Sequence, residues 1–172
     1  TLQKYTSQYG VFRLAAKYLP SANPSIFRDS IDKGMRCLGG EKWSVPTAPK
    51  DMRKPYLEYF MKKAADGEPV CQRIFREIGE YLSVTWEETT YILQPEATER
   101  TLFGRLVKNA RCFQLICEGA AKRTPALRQY AADGTLANTE LMRQLDKHAD
   151  YTVAQFAQAV GSIYYACLAC LS

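Results

Sequence analysis

Start and stop signals for helices recur so densely along this sequence that they cut it into five or six helices and leave little room for a large sheet. From Ser7 to Leu19 the apolar residues Val11, Leu14, Ala15 and Tyr18 return at intervals of three and four, the period of one helix face, and Pro20 ends the pattern. Asn23-Pro24 presents an N-cap with proline at the first helical position and opens a helix through Ile26, Phe27 and Ile31 towards Gly39-Gly40. Glu41 to Pro49 has two prolines, a tryptophan and no period, and reads as a loop. A third helix, Asp51 to Ala65, carries Met52, Tyr56, Tyr59 and Phe60 and closes at Asp66-Gly67. Pro69 opens a long helix whose Val70, Ile74, Ile78, Tyr81, Leu82 and Thr85 make an apolar stripe.

Beyond Pro95-Glu96 the period changes. Arg100-Thr101-Leu102-Phe103-Gly104 is short, β-prone at its middle and stopped by glycine, which predicts a strand. Asn109 or Ala110 then starts a helix carrying Cys112, Phe113, Leu115 and Ile116 up to Pro125. Leu127 to Ala132 is a second strand candidate, ending at the turn signal Asp133-Gly134. Asn138 caps a helix with Leu141, Met142 and Leu145, and Thr152 with Gln155 has capping-box spacing for the last helix. That helix, Val153 to Leu171, is apolar nearly all round and is expected to be central and buried. The sum is an α+β chain, predominantly helical, with a short sheet, forming a single domain over residues 1–172.

A chain of 172 residues can bury a sizeable core without disulfides or metals. Its longest apolar stretch, Val160 to Leu171, is interrupted by Gly161, Ser162 and tyrosines and falls short of the roughly 20 residues that span a bilayer, so no membrane role is expected. The chain opens on Thr1 with no initiator methionine, basic n-region or apolar h-region, as a trimmed piece of a longer protein would. Its six cysteines are expected to be reduced, in a cytoplasmic protein, with Cys112, Cys117, Cys167 and Cys170 largely buried on apolar helical stretches. Cys167 and Cys170 form a CxxC, but no second ligand pair accompanies it and the lone His148 lies in a polar loop, so zinc is not expected. The net charge of +5 is spread over Lys50, Arg53, Lys54, Arg105, Lys108 and Arg111 with acids between, a solvated surface more than a nucleic-acid footprint. Glu77, Glu80, Glu87 and Glu88 read as the solvated face of their helix, without a His or metal partner.

Two groups of residues resemble a known family. Leu2-Gln3-Lys4-Tyr5-Thr6-Ser7 followed by Val11, Leu14 and Ala15 resembles the stretch after the zinc-binding cysteines of ROK-family kinases and repressors, where a Leu-Glu-x-Tyr-x-Ser pattern opens a helix. Ala64-Ala65-Asp66-Gly67-Glu68-Pro69-Val70, Ile74-Phe75, Gly79-Glu80-Tyr81-Leu82 and Leu93-Gln94-Pro95-Glu96 are similar, in order and spacing, to that family's Ala-x-Gly-Asp-Pro helix and its Leu-x-Pro-Glu exit. Leu102-Phe103-Gly104 resembles the family's glycine-ended strand, and Ala159 to Ala166 its terminal Gly-Ala-Ala helix.

The resemblance implies a partial second lobe of an actin-like (ribonuclease H-like) ATPase fold. In that family ATP, with Mg, lies between two lobes and its adenosine rests against this one. Gly104, Arg105 and Lys108 are the implied nucleotide-contact positions, although Arg105 and Leu106 replace further family glycines. The implied partners are the N-terminal lobe of the same protein and a hexose, with a homodimer as a further option. The resemblance matches no residue of this chain to the family's N-terminal phosphate loop, catalytic Asp or zinc motif, and Gln3 stands where the family has a sugar-binding Glu. No catalytic residue is therefore assigned to it. Two other readings stay open: a non-catalytic regulator or sugar sensor of the same family, and an unrelated helical interaction domain using Trp43, Tyr56 and Tyr59 as an exposed aromatic groove.

Overall fold

The computed structural model describes residues 2–37, 43–94, 99–102, 104–123 and 128–131, with isolated helical positions 159, 162, 163, 166, 167 and 170 beyond them. The described chain is predominantly helical. A short α1, Gln3–Thr6, leads into α2, Gln8–Ala22. The break between them is Ser7, in extended conformation, whose hydroxyl oxygen accepts the Tyr9 amide at 3.2 Å and caps the longer helix. Pro20 does not end α2 as its sequence suggested. A proline in the last turn forfeits one amide bond, and the turn still closes because the Asn23 amide reaches the Leu19 carbonyl at 3.0 Å.

Asn23 then caps α3, Pro24–Asp32, its Oδ1 accepting the Ile26 amide at 3.2 Å while its Nδ2 donates to Glu68 at 3.0 Å. The helix stops short of Gly39-Gly40, because Gly34 takes a left-handed φ of 100° and turns the chain out of it. Arg36–Cys37 (β1) pairs antiparallel with Trp43–Ser44 (β2), so the segment read as a loop contains a short strand.

Helix α4, Arg53–Ala65, ends at Asp66-Gly67 as expected, with Gly67 at a φ of 96°. Glu68 starts α5, Pro69–Leu93, by accepting the Cys71 amide at 2.6 Å. β3, Glu99–Leu102, and β4, Arg128–Ala131, pair in parallel with Glu99 opposite Arg128 and Leu102 opposite Ala131. Helix α6, Ala110–Ala121, lies between them in the chain, so the three form a βαβ unit. Asn109 caps α6 through the Cys112 amide at 3.1 Å.

One core holds these helices together: Val11, Leu14 and Leu19 of α2, Leu57 and Phe60 of α4, Ile74, Phe75 and Ile78 of α5, and Leu115 and Ile116 of α6 are all buried. Helices α5 and α6 approach backbone to backbone. A Cβ added to Gly79 would lie 2.0 Å from the Ile116 carbonyl oxygen, and one added to Gly119 would lie 1.8 Å from that of Arg76. Of the four glutamates of α5, Glu88 is exposed as expected, and the other three are not simply solvated. Glu77 accepts the Tyr18 and Tyr81 hydroxyls, each at 2.6 Å, Glu80 pairs with Lys122, and Glu87 pairs with Arg123 at 3.0 Å. These bonds tie α5 to α2 and to the far end of α6, a use of charge that a helical wheel cannot show.

Two further expectations are corrected. Tyr56 is 2% exposed, its hydroxyl donating to the Ser30 carbonyl at 3.2 Å, and half-buried Tyr59 donates to Asp29 at 2.5 Å. They are core and brace, not a docking groove, and the Trp43 side chain lies outside the described residues. On the last helix, Ala159, Ser162, Ile163, Ala166, Cys167 and Cys170 share one face by spacing and are exposed. Apart from Ile163 that face carries only small side chains, whose burial stabilises little. The Asn138 helix lies outside the described residues. Among the described residues no helix is long and apolar enough to cross a membrane.

The same geometry separates the cysteines. Cys71 and Cys112 are buried, Cys117 is half-buried, and Cys167 and Cys170 are exposed, contrary to the expectation for the last two. Burial pushes the thiol of Cys71 well up, that of Cys112 to about 12 and that of Cys117 to about 11. Among the described residues no cluster could hold a metal ion. A thiol reagent at neutral pH should therefore modify Cys167 and Cys170 at once and leave Cys71 and Cys112 until the chain is denatured. Peptide mapping that finds Cys71 or Cys112 labelled early in native protein would contradict this placement. An unfolded thiol ionises near pH 9 and the folded Cys112 only near 12, so stability present below pH 9 should decline as the pH rises above it.

Candidate functional site

The turn that follows β3 is built around Gly104, whose φ of 103° and ψ of −177° fall in a region open in practice to glycine alone. One turn of 3₁₀ helix, Arg105–Val107, comes next, closed by Val107 and Lys108 amides on the Gly104 and Arg105 carbonyls at 3.3 Å each. Residues three apart eclipse in such a turn, which sets Arg105 and Lys108 on one side while Val107 is buried as the anchor.

That turn forms one wall of a cleft of about 410 Å³. Gly104, Arg105, Leu106 and Lys108 line it from the β3 side; Gln3, Thr6, Ser7, Gln8 and Tyr9 line it from the junction of α1 and α2; Leu57 of α4 completes it. The three positions singled out in the sequence, Gly104, Arg105 and Lys108, thus meet in one place, and Gln3 shares it. The lining contains two cations and no carboxylate, histidine or cysteine. Among the described residues neither Arg105 nor Lys108 enters an ion pair, and both are exposed.

A second ionic group stands beside Tyr9. Arg53 forks onto Asp51, Nε to Oδ1 at 2.9 Å and Nη2 to Oδ2 at 2.7 Å, and its Nη1 donates to the Tyr9 hydroxyl at 3.1 Å. Hydrogen bonds from the Arg53 side chain and amide, with a smaller contribution from the charge of Arg105, hold the Asp51 carboxyl down to about 2. The pair is therefore charged throughout the neutral range. Sequence reading did not find Tyr9, Asp51, Arg53 or Leu57 as members of this neighbourhood. The available signal was that Tyr9 falls off the Val11 and Leu14 stripe, which leaves it on the outside of α2.

Chemically the cleft suits capture of an anion and offers no general base. Its hydroxyls are already engaged in the local fold: Ser7 Oγ donates to the Gln3 carbonyl at 2.5 Å and Thr6 Oγ1 to that of Leu2 at 3.0 Å. Gly104 can be tested apart from any ligand. A Cβ there would meet nothing within 4 Å, so replacing Gly104 by valine should destabilise the chain through backbone strain alone, by about 1–3 kcal/mol. An unchanged denaturation midpoint for Gly104→Val would show that the turn relaxes freely.

The fold and site define a class: a helical domain with a βαβ unit and a basic cleft at the turn after its first parallel strand. No family model, no curated protein and no solved structure matches the chain.

Proposed function

We propose that this chain is the nucleotide-side lobe of a ROK-type sugar kinase with an actin-like fold, whose cleft takes the phosphate-bearing end of ATP. The observation that carries the reading is the meeting of Gln3–Tyr9 with Gly104–Lys108. The resemblance assigned these stretches separately, and they form the two walls of one acid-free, cationic cleft. A glycine-ended strand beside basic side chains is suited to phosphate, because the turn exposes backbone while Arg105 and Lys108 supply charge. In the parent protein the γ-phosphoryl group would pass to a hexose hydroxyl by positioning and charge stabilisation, with the base and phosphate loop supplied by the N-terminal lobe. Magnesium does not fit this half-site: it is usually bound through carboxylates and phosphates, and no carboxylate lines the cleft.

A second reading, a non-catalytic regulator or sugar sensor of the same family, is favoured by Gln3. It lines the cleft where the family resemblance places a glutamate, and an amide cannot serve as a charged acceptor. Half a cleft buries only part of a nucleotide, so ATP should bind the chain weakly, with Kd on the order of millimolar. Ligand-observed NMR measures this directly. Absence of any transfer to ATP or tripolyphosphate at concentrations of several millimolar would remove the kinase reading and leave the sugar-sensor reading standing.

A further inference from the structure

Tyr9 is 47% exposed, yet its position is fixed from outside the cleft by Arg53, which Asp51 holds in turn through two parallel bonds. The Arg53–Tyr9 bond ties α4 to α2 and holds the ring at the cleft that it lines. The bracing makes sense if the ring itself is a contact surface. Its companions in the cleft are Leu57, 1% exposed, and half-buried Leu106, so the same space offers an aromatic ring, aliphatic carbon and two cations. Gln3 and Gln8 add amides that can both donate and accept.

We propose that Tyr9 is a specificity-determining residue of this cleft, stacking on the planar base of a phosphorylated nucleoside, and that the Asp51–Arg53 pair is its brace. The inference rests on the reading of the cleft as a phosphate site and adds to it the chemistry of the rest of the ligand. A phosphosugar or a bare polyphosphate would satisfy Arg105 and Lys108 and leave the Tyr9 ring without a flat partner. A base joined to a phosphate satisfies both. Stacking of one base on one aromatic side chain corresponds to roughly a tenfold gain in affinity. The brace keeps the ring from swinging into solvent, so less rotational freedom is lost when the base arrives. Arg53 is a positioning residue here, acting through Tyr9.

The test is a protein-observed NMR titration of the full chain and its variants with ATP, ribose 5-phosphate and tripolyphosphate. The wild-type chain should prefer ATP over tripolyphosphate by roughly tenfold. Tyr9→Ala should erase that preference while leaving tripolyphosphate affinity unchanged; Tyr9→Phe, which keeps the ring and loses the brace, and Arg53→Ala should each retain part of it. The thermal midpoint of each variant, matched to wild type, shows that folding is intact. A Tyr9→Ala chain that still prefers ATP as strongly as wild type would overturn the assignment of Tyr9 and leave the phosphate site standing. A wild-type chain that binds none of these compounds would overturn the phosphate site, and the Tyr9 assignment with it.

Discussion

Replacing Gly119 by alanine is expected to lower stability by about 3 kcal/mol or more, the upper end of what overpacking a core does. Intrinsic helix propensity points the other way, favouring alanine over glycine by about 1 kcal/mol. The clash decides the sign. The new Cβ would sit 1.8 Å from the Arg76 carbonyl oxygen and 2.7 Å from its carbonyl carbon, both backbone atoms that cannot rotate aside. Helices α5 and α6 would have to part. Parting them loosens Ile74, Phe75 and Ile78 against Cys112, Leu115 and Ile116, all now fully or almost fully buried. It also lengthens the Arg76–Glu118 bond, now 2.8 Å. For a chain of this size a loss of about 3 kcal/mol lowers the melting temperature by roughly 6–12 °C. Gly67→Ala is the control, since its left-handed φ of 96° carries strain but no atom lies within 4 Å of the new methyl group. A Gly119→Ala chain that melts no lower than Gly67→Ala would show that the helices cross farther apart than described.

Removing both cations of the cleft should reduce ATP affinity by roughly thirtyfold, a discounted figure for two exposed charge-assisted contacts. Arg105 and Lys108 stand on the same side of one 3₁₀ turn, in a cleft whose lining contains no carboxylate. Their substitution by alanine leaves Val107 in place as the buried anchor, so the turn should survive. Because both side chains are exposed, their attraction is screened: raising salt from about 0.05 to about 0.5 M should weaken ATP binding to wild type markedly. The same change should barely affect the Arg105→Ala/Lys108→Ala chain. Equal salt dependence in the two proteins would place the phosphates elsewhere on the surface.

Much of this architecture was legible in the sequence because its signals are local. Asn23-Pro24, Asp66-Gly67 and Asn109 each mark a helix boundary through a hydrogen bond or backbone turn confined to a few residues, and each stands where expected. Pro20 misled because the closing bond of its helix comes from Asn23, three residues on. The two-residue pairing of Arg36–Cys37 with Trp43–Ser44 is too short to impose a period. Gly79 and Gly119 look like ordinary weak points of a helix until their opposing backbones are seen. The cleft divides the same way. A strand ending in glycine and followed by Arg105 and Lys108 suggests an anion from neighbours alone. That Gln3 and Tyr9 face this turn, and that Asp51 and Arg53 brace Tyr9, depends on how α2 and α4 lie across the core, which no local pattern encodes.

The proposed nucleotide site is tested most directly by mapping backbone amide shifts as ATP is added to the isotopically labelled chain. Shifts should gather at Gly104–Lys108 and at Gln3–Tyr9 together, saturate on the order of millimolar ATP, and vanish in the Arg105→Ala/Lys108→Ala chain. Shifts confined to another face, or tight adenosine binding indifferent to the loss of Arg105 and Lys108, would contradict the assignment of this cleft to the phosphates of a nucleotide.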